Sequence, residues 1–131
     1  MTSQLQRILD TFQADSGTIH LIEDDGHLHL AASINIPEAV ARIVDVVPIG
    51  KGMAGLAAER REPVSICNIQ TDSSGDVRPG ARATGMEGAI AVPIFHGDQL
   101  VGVLGIANRD ARTFTEEEIE RLLQEGRTLA T

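Results

Sequence analysis

Residues 88–108 read GAIAVPIFHGDQLVGVLGIAN. Two apolar runs flank a polar tip, His96-Gly97-Asp98-Gln99. Tight hairpin loops need positive φ, which glycine supplies, so a two-residue Gly97-Asp98 loop is expected. Such a loop sets His96 against Gln99, Phe95 against Leu100, Ile94 against Val101 and Val92 against Val103. One face then carries Ile90, Val92, Ile94, Val101 and Val103. The other carries Ala91, Pro93, Phe95, Leu100, Gly102, Leu104 and Ile106. Neither face holds a charge, and a strand pair apolar on both sides must be covered on both. The expectation is a central sheet between two layers, with room for an internal pocket on one face.

The chain has 131 residues, which suits a single domain over 1–131 with one real core. Apolar residues make up 42%, too many for a disordered chain. No apolar run approaches the roughly 18–20 residues of a membrane span, and Met1–Arg7 lacks the pattern of a secretory signal. One cysteine, Cys67, excludes an internal disulfide, and a cytoplasmic setting is the default expectation. The net charge of −8, with no Trp or Tyr to stack bases, speaks against nucleic-acid binding. The acidic run Glu116, Glu117, Glu118, Glu120 and Glu125 reads as a solvated helix face whose first turn suits the helix dipole.

Along the chain, residues 3–13 read as a helix, with Leu5, Ile8, Leu9 and Phe12 at helical spacing and Ser3-x-x-Gln6 as a capping box. Asp15-Ser16-Gly17 ends it. Thr18–Glu23 and His27–Ser33 form a first hairpin around Asp24-Asp25-Gly26. Pro37 opens a helix carrying Val40, Ile43, Val44 and Val47, and Pro48 stops it. Ile49 to Arg60 is a Gly-rich entry into a short helix, and Pro63–Ile69 is a third strand. The stretch from Gln70 to Gly85 has no periodicity, and a loop that long in a small domain is usually functional or mobile. After the hairpin at 88–108, Thr115-x-x-Glu118 is a second capping box. It opens a helix with Ile119, Leu122, Leu123 and Ala130 as its stripe, weakened locally by Gly126. Antiparallel hairpins dominate, so the fold class is α+β.

Each chemical motif has a plain structural reading beside it. Gly50-Lys51-Gly52-x-x-Gly55 departs from a phosphate loop, because its lysine lies between the glycines; it reads as a tight turn packed against a short helix. Cys67, placed mid-strand, is either a small buried apolar residue or a pocket-lining thiol. An Asp25-Gly26 loop pairs Ile22 with His29 and His20 with Ala31, making His20 and His29 diagonal neighbours on one face. Two histidines make a poor metal site, and no CxxC or HExxH motif supports one. The carboxylates Glu23, Asp72, Asp76 and Glu87 are unpaired by any motif, so no catalytic residue is assigned. Arg78 and Arg82 are solvent charges or a clamp for an anion.

The order Pro48-Ile49-Gly50-x-Gly52-x-x-Gly55, Glu62-Pro63-Val64-x-Ile66, Ala91-Val92-Pro93-Ile94, Gly97, Leu100–Leu104 and Phe114-Thr115 resembles a GAF domain over nearly the whole chain. Pro93 fits that resemblance, since GAF domains commonly carry a Val-Pro-hydrophobic step there, at a bulge or an edge. The resemblance implies a GAF-like central antiparallel sheet of about five to six strands. Terminal helices would cover one face, and short helices and loops would form a small-molecule pocket on the other. Such domains are mostly regulatory sensors, and many dimerise through their terminal helices.

The signatures of particular subclasses are missing. Cys67 has no neighbouring His as in bilin binders, and the Asn-Lys-x-x-x-Phe-x-x-x-Asp-Glu pattern of cyclic-nucleotide binders is absent. Free methionine sulfoxide reductases use several cysteines, and this chain has one. The resemblance therefore points to a non-enzymatic sensor of an unidentified small molecule, with no cofactor assigned. By analogy the ligand-binding candidates are Met53, Leu56, Cys67, Met86 and Ile90, with Arg78 or Arg82 as polar anchors. Partners expected on the same basis are a second copy, through the terminal helices, and a downstream kinase or other output domain. The helical pattern still running at Thr131 suggests a longer parent chain. The alternatives are a dimerisation module without ligand and a small reductase.

Overall fold

A computed structural model of the chain describes residues 1–72 and 84–130. Helix α1 (Thr2–Phe12) leads into strands β1 (Ser16–Ile22) and β2 (Leu28–Ile34). Helix α2 (Glu38–Ile43), the two-residue strand β3 (Val46–Val47), helix α3 (Gly52–Arg60) and strand β4 (Val64–Ile66) follow. The long hairpin is β5 (Gly88–His96) and β6 (Gln99–Asn108), and helix α4 (Glu116–Leu129) closes the order. The strands form one antiparallel sheet, β3-β2-β1-β6-β5-β4, so the hairpin lies in its interior.

Both faces of that hairpin are covered, as its two apolar faces demand. Residues 88–94 of β5 are all buried. On one side Ile90, Val92, Ile94, Leu104 and Ile106 pack with Leu5, Ile8, Leu9 and Phe12 of α1 and Leu122 of α4. On the other, Ala91 and Val103 pack with Ala57 and Ala58 of α3. The α+β architecture implied by the GAF resemblance is present, with the terminal helices sharing one face.

The pairing departs from a simple ladder at two bulges. His96 faces Gln99 and Phe95 faces Leu100, but Ile94 faces Gly102 and Val92 faces Leu104. Val101 is the extra residue, and beyond it every β6 side chain changes face relative to the simple register. Leu104 and Ile106 therefore join Ile90, Val92 and Ile94, while Val103 joins Ala91. A hairpin apolar on both faces buries apolar groups in either register, so hydrophobic pattern alone cannot choose between them. Pro93 sits beside this bulge and beyond the last β4–β5 pair, Val64 with Ala91, where β5 is an edge. A missing N–H costs little there. The second bulge separates Ile19–Ala32 from His20–Leu30, which sets Leu21 against His29. His20 and His29 thus occupy successive ladder positions on opposite faces, and the expected diagonal pair does not form.

Several boundaries also move. The N-cap of α1 is Met1 without a side-chain bond, so Ser3 falls inside the helix and makes no capping box. Gln13, in the left-handed region at φ 54°, ends that helix, and Ser16 and Gly17 already belong to β1. Pro37 is the N-cap of α2 rather than its first residue. Val47 leaves the α2 stripe because Val46 and Val47 pair with His29 and Leu28 as an edge strand. Strand β4 ends at Ile66, so Cys67 lies past it and is exposed. The Thr115–Glu118 capping box is complete, with both reciprocal bonds made.

Candidate functional site

Small residues on one face of the sheet create a cavity. Ala89 and Ala91 of β5, Gly105 and Ala107 of β6, and Ser16 of β1 occupy positions where the opposite face carries Ile90, Ile106, Leu104 and Ile19. The volume they leave unfilled is about 160 Å³. Val40 and Ile43 of α2, Val44 and Val47 after it, and Met53 of α3 roof it. The roof is set by the Gly50-Lys51-Gly52 turn, closed by a 2.8 Å bond from Gly50 N to Gly55 O. A Cβ on Gly55 would lie 2.5 Å from Pro48 O, so α3 can abut the turn only because residue 55 is glycine. That is the tight-turn reading of the glycine run, not a phosphate loop.

The floor carries polar groups in a row. Ser16, Thr18 and His20 project from alternate positions of β1 into an otherwise aliphatic space. Ser16 is 1% exposed and His20 2% exposed. His20 Nε2 lies 2.8 Å from the Val44 carbonyl oxygen. Burial pushes the imidazole below its ordinary pKa, although the Val44 carbonyl and Asp45 pull the other way. Ser16 Oγ and His20 Nδ1 have no hydrogen-bond partner among the described residues. Buried polar atoms are normally paired, so two orphans on one cavity floor are an exception that calls for an explanation. Lys51 adds a cation to the lining.

The expected site residues fall in different places. Met53 lines the cavity, and Ile90 borders it while its side chain joins the core under α1 and α4. Leu56 packs beside Ala57 and Val64. Met86 is buried with Ile66, Ile69 and Ala89 in a separate cluster. Cys67 is exposed and accepts a bond from Thr113 Oγ at 3.6 Å. None of these three is among the residues around the cavity. Arg78 and Arg82 lie outside the described residues. His29 stands on the surface between Glu23 (3.1 Å) and Asp25 (2.8 Å), and the Asp25 bond raises its pKa. Among the described residues no group of three potential ligands could hold a metal. Ser16, Thr18 and Val44 escaped the sequence reading as site residues, and His20 and Lys51 were weighed only as a partner of His29 and as part of the glycine run. Their signal was the alternation Ser-x-Thr-x-His opposite strands rich in Gly and Ala.

Similar proteins share this architecture. A domain from a protein described as a two-component sensor histidine kinase of Sinorhizobium meliloti 1021 is 20% identical, with a TM-score of 0.77 over 97% of this chain and 83% of that one. The GAF domain of a phosphoenolpyruvate-protein phosphotransferase from Coxiella burnetii is 23% identical, with a TM-score of 0.80 over 98% and 77%. The free methionine-R-sulfoxide reductase of Neisseria meningitidis, solved in complex with its substrate, is 19% identical, with a TM-score of 0.79 over 98% and 72%. At these identities the likeness establishes fold. No curated protein gives a significant match. The family model described as GAF domain matches residues 1–130. The chain belongs to the GAF domain family.

Proposed function

We propose that this chain is a regulatory sensor, binding a small molecule in the cavity between the sheet and α2–α3 and relaying occupancy to α1 and α4. The carrying observation is the pair of buried, unpartnered polar atoms, Ser16 Oγ and His20 Nδ1, on the cavity floor. Small-molecule sites are typically apolar concavities with a few placed polar groups.

The sheet itself provides the relay. Ser16 and Thr18 line the cavity, while Gly17 between them lies under α1, where a Cβ would meet Leu9 Cδ2 at 2.8 Å. A shift of β1 on one face is therefore felt by α1 on the other. Arg7 of α1 and Glu125 of α4 form a 2.7 Å ion pair that ties the two helices together. A ligand with unequal affinity for two arrangements of these helices shifts their populations. In this scheme α1 and α4 pair with a second copy and pass the signal to an output domain such as a kinase, in a cytoplasmic setting. Light scattering is expected to report twice the chain mass; a monomer at high concentration refutes the dimer.

Binding rather than catalysis is favoured by the single cysteine, which lies exposed and outside the cavity lining. Among the described residues no helix is long and apolar enough to cross a membrane. A thermal-shift screen over nucleotides, keto acids, amino acids and small anions tests ligand sensing. At least one compound is expected to raise the midpoint with a concentration dependence set by mass action. Turnover of free methionine sulfoxide that disappears in Cys67→Ser would instead support the reductase reading.

A further inference from the structure

His20 is tethered at one ring nitrogen and open at the other. The Val44 carbonyl can only accept, so Nε2 carries the proton and donates across 2.8 Å. In the neutral ring Nδ1 is then a pure acceptor. Burial lowers the imidazole pKa, which keeps the ring in that neutral form near pH 7. The bond to Val44, the C-cap of α2, fixes the ring, so it cannot turn Nδ1 toward another partner without losing it. The nearby donors Ser16, Thr18 and Lys51 do not reach this atom. Thr84, the other hydroxyl among the described lining residues, makes no bond to it either, and Val40, Val47 and Ala91 have no side-chain donor to give. A buried acceptor without a donor is a costly arrangement that a matching ligand relieves.

We infer that His20 Nδ1 is the specificity-determining acceptor of the cavity, and that its ligand is a compact, largely apolar molecule presenting an N–H or O–H group to it. The size follows from the volume: 160 Å³ is close to the roughly 150 Å³ cavity that admits a benzene ring. The assignment rests on the cavity's being the ligand site. It adds that donor chemistry, not shape alone, selects what binds.

Pyrrole and furan test it, being rings of the same size of which only pyrrole carries an N–H. Both are titrated into the full chain, with binding followed by NMR and the His20 ring nitrogens observed by ¹⁵N labelling. Pyrrole is expected to bind about tenfold more tightly, the ratio of one net hydrogen bond. It should also move the Nδ1 resonance toward the protonated position, while furan leaves it in place. His20→Leu keeps similar bulk and removes both ring nitrogens, so no acceptor is left at this place. That variant should bind both rings alike. Equal affinities in the native chain, an unmoved Nδ1 resonance with pyrrole, or a preference that survives His20→Leu overturns the acceptor role, and an ordered water then satisfies Nδ1. Entry of both rings with equal affinity overturns only that role. Failure of both rings to enter overturns the ligand site as well. If His20→Leu does not fold, the ring pair and the Nδ1 resonance decide alone.

Discussion

Gly126 offers a test of how α4, the proposed output helix, lies on the sheet. It sits inside the helix Glu116–Leu129, buried against β5. A Cβ built there would meet Ile94 Cγ1 at 3.4 Å, Ile94 Cα at 3.7 Å and Pro93 O at 3.7 Å. Those are ordinary van der Waals distances, so alanine fits without moving the helix. Replacing glycine by alanine in a helix interior stabilises by about 0.8–1 kcal/mol through the unfolded chain's lost freedom. The added methyl meets Ile94 and Pro93 at ordinary distances and adds only a small further gain. Gly126→Ala should therefore stabilise the domain by about 1 kcal/mol, a midpoint rise of roughly 3–5 °C for a chain of this size. Gly126→Leu has no room and should cost about 2 kcal/mol or more, because α4 must lift from Ile94. Urea unfolding followed by circular dichroism measures both, with unchanged m values for a clean comparison. A destabilised Gly126→Ala would refute the reasoning, since it would mean that α4 lies closer to β5 than these distances allow.

Other changes follow the same geometry. Gly102→Ala places a Cβ 2.2 Å from the His20 carbonyl oxygen, backbone against backbone within paired strands, and should cost about 3 kcal/mol or more in urea unfolding. Near-native stability there would show that β1 and β6 are not so closely apposed. Arg112 donates to Phe12 O at 2.7 Å and Asn108 Oδ1 at 2.8 Å, pairs with Glu118, and lies over the Phe114 ring. Arg112→Ala removes the joint between α1, β6 and α4 and should cost about 2–3 kcal/mol; a loss under about 0.5 kcal/mol contradicts that role. The two hydrogen-bonded histidines should titrate on opposite sides of about 6.5. Burial holds His20 below it, so its contribution to stability is complete above that pH and falls as pH drops. The Asp25 bond holds His29 above it, so its contribution is complete below that pH and fades as pH rises through its folded value. An NMR titration in which His29 deprotonates at lower pH than His20 reverses the assignment.

The layered fold was legible in the sequence because it follows from strong local signals. Gly97-Asp98 closes the hairpin, neither hairpin face bears a charge, and Thr115 with Glu118 caps the last helix. The bulges were not legible. Val101 is apolar like the residues around it, so no pattern distinguishes the register that skips it. Strand β3 was hidden because Val47 continues the spacing of Val40, Ile43 and Val44, and only pairing with Leu28 separates it from α2. The floor of the cavity was missed for a related reason. Ser16-Gly17 looks like a helix stop, which places the start of β1 two residues late and hides its polar face. The apolar run to Ile69 extends β4 past its true end and so places Cys67 mid-strand, whereas the pairing with β5 ends at Ile66.

The central claim is that the space above Ser16 and His20 holds the regulatory ligand. A crystal structure of the chain with whichever screened compound raises the unfolding midpoint most is the direct measurement. Ligand density enclosed by His20, Val44 and Met53 is the predicted result. Density on another surface, with that cavity unchanged, would contradict it.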